Sequence, residues 1–170
     1  ITAGGVKFSR TGTVWVGGQS LPVRVEKTVT LPAAASHFRI DYRLSHKGTA
    51  EIPFWFGVEF NFSLLAGNSP DRYVLVDGVK PDLEPHFAGR GRHESVEAVT
   101  LRDDWEGMEV ILDWARPAGL WRLPVETISQ SESGFERVYQ STCLVPQWRL
   151  RLPPGSVWSV TLNLAVRKPA

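Results

Sequence analysis

The sequence predicts an all-β protein, a large antiparallel β-sandwich, and three observations carry that prediction. Phe38, Ile40, Tyr42 and Leu44 alternate with His37, Arg39, Asp41 and Arg43, a period of two that sets one face in a core and the other in water. Phe54, Phe56, Val58, Phe60, Phe62 and Leu64 alternate in the same way with Trp55, Gly57, Glu59, Asn61 and Ser63, which reads as one long strand. No segment has a helical period, and about ten strand-like runs are punctuated by turn residues, as in two packed antiparallel sheets.

From the N-terminus, residues 13–16 and 23–30 are short β-branched runs split by Gly17 and Gly18, a hairpin break, and Leu31-Pro32 ends the second run. His37 and His46 fall at strand edges. After the aromatic strand, Asn68-Ser69-Pro70-Asp71 turns the chain into a strand over 72–76, which Asp77-Gly78 closes. Residues 80–93 are rich in Pro, Gly and charge and read as a loop. Strands over 96–101 and 108–114 are joined by the polar tip Asp103-Asp104-Trp105-Glu106-Gly107, with Pro117 and Gly119 as punctuation after them. Residues 135–145, 148–152 and 157–166 complete the strands. In the last, Trp158, Val160, Leu162, Leu164 and Val166 face inward, and Pro153-Pro154-Gly155 is the turn before it.

Composition narrows the function. At 170 residues, 42% hydrophobic, the chain suits one globular domain over 1–170 with a real core. A net charge of +1 gives no electrostatic case for nucleic acid or an anionic membrane. No apolar run approaches a membrane span, and the N-terminus carries no secretory signal. The one cysteine, Cys143, reads as a small buried apolar residue and fits a reducing, cytoplasmic setting. The chain begins at Ile1 and not Met, which suggests a piece excised from something longer.

Two stretches carry candidate chemistry. The first is FWFGVEFNFSLLAGNSPD, residues 54–71, whose wet face offers Trp55, Glu59, Asn61 and Ser63 in one line. An aromatic plane beside carboxylate and amide groups is what holds a sugar ring and its hydroxyls. The second is WRLPVETISQSESGFERVYQ, residues 121–140, where strand-like runs flank a polar centre and form a long hairpin tip. It gathers Trp121, Arg122, Glu126, Thr127, Ser129, Gln130, Ser131, Glu136 and Gln140. Glu126 and Glu136 have the makings of a glycosidase carboxylate pair if they meet about 5–10 Å apart across a sugar. The competing and favoured reading is a rigid polar loop, cross-bonded by Glu126, Ser129 and Gln130, that docks on a neighbouring domain.

Both stretches, in this order, resemble the β-rich C-terminal domain of family 57 glycoside hydrolases, the α-amylase and 4-α-glucanotransferase group, and the resemblance runs from about Val6 to Val166. It implies a supersandwich similar to galactose mutarotase. It also implies that the catalytic carboxylates lie in a separate N-terminal barrel, so that this chain contributes no catalytic residue and needs no cofactor. Its partners would be that barrel and α-1,4-glucan, with Trp55, Glu59, Asn61, Trp121, Glu126 and Gln130 as the carbohydrate-binding candidates. Two other classes stand beside it: a structural or oligomerisation module without ligand, and a stand-alone mutarotase- or lyase-type enzyme using His86 or His93 with Glu59. His86 and His93, with Glu84 or Glu94, match no strong zinc spacing, and Asp103-Asp104 reads as a solvated tip, not a calcium site. Of the seven tryptophans, Trp114, Trp148 and Trp158 fall in core positions, while Trp15, Trp105 and Trp121 lie near turns as anchors or platforms.

Overall fold

A computed structural model describes residues 4–32, 36–131 and 134–169. Among the described residues every regular element is a strand, and none is a helix able to cross a membrane. The ten strands are β1 (Gly5–Val16), β2 (Gln19–Thr30), β3 (His37–His46), β4 (Ile52–Gly57), β5 (Phe60–Phe62), β6 (Arg72–Val76), β7 (Gly91–Asp103), β8 (Met108–Ser131), β9 (Gly134–Leu152) and β10 (Val157–Arg167). Hydrogen bonding links them in one large antiparallel sheet, and the architecture fits the all-β sandwich that the alternation predicts. The chain forms two compact units: 1–56 with 112–116 and 148–166, and 57–111 with 117–147 and 167–170.

In the first unit β1 and β2 pair along their full length about Gly17 and Gly18, whose positive φ angles of 54° and 80° suit a two-residue hairpin turn. β3 joins β2 on one side and β10 on the other. Ile40, Tyr42 and Leu44 from β3 are buried with Val160 and Leu162 from β10, which is the period-two face read from the sequence. Phe38 and Val166, at the ends of these faces, are instead exposed. Aromatic rings fill the centre: Phe56 lies 5.4 Å from Tyr42 edge-on and 5.6 Å from Trp158, and Trp148 packs against Trp158 at 5.5 Å and Trp114 at 6.5 Å. The buried Trp148 satisfies its indole N–H by donating to the Arg116 carbonyl at 3.1 Å. Trp114 and Trp148 are thus the core residues their strand positions predict, and Trp158 is half-buried.

His46 departs from its strand-edge reading. It ends β3 but is 1% exposed. The Gly48 N–H donates to Nδ1 at 3.2 Å, so the proton sits on Nε2, which donates to the Ala50 carbonyl at 2.5 Å. The ring is a satisfied core group that ties off the turn after β3.

In the second unit β6 pairs β7, β8 pairs β9, and β5 adds to β9. Phe87, Val74, Val99, Leu101, Leu120 and Leu144 are fully or nearly fully buried. Several boundaries differ from the sequence reading. β1 begins at Gly5 and not at residue 13, β8 runs on to Ser131, and β9 is one strand from Gly134 to Leu152 where the sequence predicts two, 135–145 and 148–152. The long aromatic strand breaks after Gly57, where the Val58 N–H turns to the Pro146 carbonyl at 3.0 Å and a Cβ on Gly57 would come within 3.3 Å of Val145. The alternation survives that break in phase, with Phe60 and Phe62 half-buried and Glu59 and Asn61 exposed. Pro117 and Gly119 do not punctuate β8. Proline is tolerated where no ladder amide is needed, and Pro117 falls just before the β9 register opens at Gly119. His93 belongs to β7, which begins within the expected loop.

Candidate functional site

The site is built on the β8–β9 hairpin and the segments that cover it, all within the second unit. The register runs Gly119↔Gln147 to Ser131↔Gly134, with one slip: Val125 faces Ser141, whereas Glu126 faces Tyr139. The extra residue is therefore Gln140 on β9, and its amide donates to the Thr127 hydroxyl at 3.2 Å. A bulge re-aims side chains on one strand only. Along β8 alternation continues unbroken, so Trp121, Leu123 and Val125 share one face while Arg122, Pro124, Glu126, Ile128 and Gln130 share the other.

On the first face, Leu123, Cys143 and Asn61 stand side by side across β8, β9 and β5. Asn61 Nδ2 donates to Glu59 Oε1 at 2.7 Å, which brings the carboxylate to the same side. The Cys143 thiol is pushed up by burial and then by the Glu59 charge, which keeps it protonated and unreactive. Trp121 is half-buried opposite Val145. The face thus offers a fixed carboxylate–amide pair beside an apolar strip of Trp121, Leu123 and Val125.

The second face is cross-braced. Arg122, 2% exposed, donates to the carbonyls of Glu84 at 2.7 Å and Leu83 at 3.1 Å and to His93 Nε2 at 3.2 Å. Burial and then the Arg122 charge hold the His93 pKa below its usual range. Glu84 in turn accepts the Arg90 amide at 2.6 Å, and the Arg90 guanidinium reaches Glu126 at 2.9 Å. Beside Glu126, Tyr139 bonds the Thr142 hydroxyl at 2.7 Å, and Thr142 donates to the Phe87 carbonyl at 3.0 Å. Gly67 lies flat on the Tyr139 ring, so close that a Cβ there would meet the ring at 2.7 Å. The 80–93 segment is therefore pinned to β8 by Arg122 and Glu126; of the three residues expected to cross-bond the loop, Glu126 takes part, through Arg90.

The structure sorts the six carbohydrate candidates into three places. Glu59, Asn61 and Trp121 share one face. Glu126 and Gln130 share the other, so Trp121 does not join them as the sequence grouping expects; a one-residue parity separates them. Trp121 is also mid-strand, not near a turn. Trp55 belongs to the first unit, about half exposed, with the Arg149 guanidinium 4.8 Å above its ring. Pro53, Phe54, Arg149, Leu150 and Arg151 complete the open cleft of about 620 Å³ around it.

The notion of a carboxylate pair fails on the same parity. Glu136 pairs with Ser129, which alternates with Glu126, so the two carboxylates project from opposite faces of the ribbon. His93, tied to Arg122, likewise lies across the sheet from Glu59, so these two do not form the His–Glu cleft of a mutarotase-type site. Glu132 and Ser133, and the Ser131 side chain, lie outside the described residues. Asp103 accepts the Glu106 amide and pairs with Arg72, and Asp104 binds Arg102, so the acidic tip is spent on structure. Among the described residues no three His, Cys, Asp or Glu side chains are grouped to hold a metal. Sequence reasoning missed Tyr139, Arg90 and Arg149. Only long-range register brings them to the named residues, and no local spacing signals it.

A family model described as "Alpha-amylase/4-alpha-glucanotransferase, C-terminal" matches residues 1–162. Alpha-amylase 1 of Dictyoglomus thermophilum is 33% identical over 145 residues, covering 83% of this chain and 20% of that protein. The 4-alpha-glucanotransferase from Thermococcus litoralis has 21% identity and a TM-score of 0.67 over 97% of this chain and 21% of its own. A galactose mutarotase-like protein from Lactobacillus casei has 13% identity and a TM-score of 0.60, over 98% of this chain and 71% of its own. At such identities these two structures speak for the sandwich fold alone, and the chain spans about one fifth of the amylase and of the transferase. By the match along its length, the chain belongs to the C-terminal domain family of alpha-amylases and 4-alpha-glucanotransferases.

Proposed function

We propose that this chain is the non-catalytic C-terminal sandwich of an α-glucan-acting amylase or 4-α-glucanotransferase of the family 57 type, that its β8–β9 arm docks on the catalytic barrel, and that its Glu59–Asn61–Trp121 face contacts α-1,4-glucan. The observation that carries docking is the arm's tip. Toward the end of the β8–β9 ribbon Ile128 and Phe135 are 72% and 78% exposed. A two-stranded ribbon is marginal in water, and large apolar side chains at its end call for a covering surface. Relatives that are five times as long supply the room for one.

The glucan reading rests on the other face. Asn61 holds the Glu59 carboxylate in place, leaving acceptors for ring hydroxyls next to an apolar strip that suits a sugar's C–H face. Trp55 is a separate aromatic platform, one side of which Arg149 covers.

The test is titration with maltoheptaose, followed by tryptophan fluorescence and two-dimensional amide shifts. Shifts gathered at Glu59, Asn61 and Trp121, and lost in N61A, are expected. Silence at millimolar sugar would sink autonomous glucan contact and leave docking as the arm's role.

A further inference from the structure

β1 is an open edge of its sheet. Among the described residues it pairs with β2 alone, and the register from Gly5↔Thr30 to Val16↔Gln19 runs without a bulge. The two-residue turn at Gly17 and Gly18 decides which backbone groups are spare. Val16 and Gln19 exchange both main-chain hydrogen bonds across it, so the even-numbered residues of β1 bond to β2 and the odd-numbered ones turn N–H and C=O outward. Lys7, Ser9, Thr11, Thr13 and Trp15 therefore present an unused ladder. Neither a proline nor a bulge, two usual guards of an edge strand, interrupts it. The strand at the other end of the sheet order, β6, is capped: the Val74 N–H donates to the Pro85 carbonyl at 2.7 Å, and Tyr73 bridges His86.

Side chains along β1 are uncovered as well. On its core-side face Val14 and Val16 pack on Leu21, Val23 and Ile52, but Val6 and Phe8 stay 42% and 56% exposed. Phe8, Gly12 and Val14 line an open apolar cleft of about 440 Å³ with Val25, Leu44 and Phe54. On the opposite face Trp15 is 71% exposed. Apolar area beside a free ladder suits the addition of a strand.

The chain supplies a strand that fits. When a second β1 runs antiparallel about a two-fold axis at Thr11, residues equally far before and after Thr11 face each other. Phe8 then meets Val14, Val6 meets Val16, Ser9 meets Thr13, Thr11 meets its own copy and Lys7 meets Trp15. These are aromatic–aliphatic, hydroxyl–hydroxyl and cation–indole pairs, each favourable across strands. Arg10 falls opposite Gly12, where no like charge opposes it. Moving the axis to Arg10 sets two arginines against each other. Moving it to Gly12 sets two glycines together and carries Lys7 onto the turn at Gly17.

We infer that two copies of this chain associate through β1, antiparallel about Thr11, and continue one sheet across the pair. Because β6 is capped, the association closes at two copies. It is independent of the docking arm and of the glucan face, and it stands or falls without them.

Sedimentation velocity of the 170-residue chain, from micromolar to submillimolar concentration, tests it. A reversible monomer–dimer equilibrium is expected, with a limiting mass of twice 19.0 kDa. T11P removes both hydrogen bonds at the axis and none to β2, so it should weaken the dimer at least about tenfold while the monomer keeps its thermal transition. Register is read by mild oxidation, since the native Cys143 is buried. T11C should link to a second T11C chain, whereas T13C should link only when mixed with S9C. A monomer throughout the range, growth beyond the dimer, a dimer indifferent to T11P, or self-linking of T13C equal to that of T11C overturns the inference.

Discussion

Two main-chain carbonyls and one imidazole hold the buried guanidinium of Arg122. Replacing it with Met leaves the Glu84 and Leu83 carbonyls unpaired, so R122M should lose about 2–4 kcal/mol of stability, measured by urea denaturation. His93 adds a pH dependence whose sign follows from its depressed pKa. Between that value and the ordinary 6.5 the unfolded chain binds more protons than the native one, so stability rises with pH. The contribution is complete above about 6.5 and is lost as pH falls through the folded pKa, where a second positive charge arrives beside Arg122 and only Asp77 opposes it. H93Q should flatten the stability curve below pH 6.5; a curve that stays as steep would exclude the imidazole as its source. Residues of this kind are hard to read from sequence. Arg122 sits in a run, Leu120 to Val125, that is apolar on both sides of it, so no local alternation says that it faces inward. Cys143 was legible, because a small residue in an apolar strand run is buried on pattern alone.

Strands were legible by phase and not by extent. The β3 and β10 faces emerge where the alternation puts them, because a half-buried sheet forces one face apolar. Length depends on partners far off in the chain: β8 runs through Pro117 and Gly119 because β9 pairs with it from Gly119 onward, and the aromatic run breaks at Gly57 because β9 comes close there. The hairpin between β8 and β9 was readable as an element, but its bulge at Gln140 was not, and that bulge decides which β9 side chains stand beside Glu126. The arm carries its own prediction. In the free chain Ile128 and Phe135 face water, so I128S/F135S should change stability by no more than about 0.5 kcal/mol. In the full-length enzyme the same pair, if docked on the barrel, should lower the thermal midpoint and raise hydrogen exchange along the arm. An equal effect in both forms would show that the tip is packed by this chain itself and would remove the docking role.

At the scale of the molecule, family membership and geometry point the same way, although they are separate arguments. Membership says that relatives carry four further fifths of chain, without saying what this fifth does. Geometry bears on the described carboxylates. Glycoside hydrolysis needs two carboxyl groups facing each other across the sugar, about 5–10 Å apart. Glu126 and Glu136, the pair the hairpin suggested, leave opposite faces of one ribbon, and Glu126 is bound to Arg90 as part of the brace on the 80–93 segment. Glu59, on the face proposed for glucan, is bonded to an amide and not set opposite a second acid. The 170-residue chain alone should therefore release no reducing ends from maltoheptaose and transfer no glucosyl units, as followed by reducing-sugar assay and chromatography of the products. E126Q and E136Q should leave that baseline where it is, with E126Q loosening the 80–93 segment in hydrogen exchange. Turnover by the purified chain that either substitution abolished would place a working carboxylate in the hairpin and overturn the proposal that this domain is an accessory one.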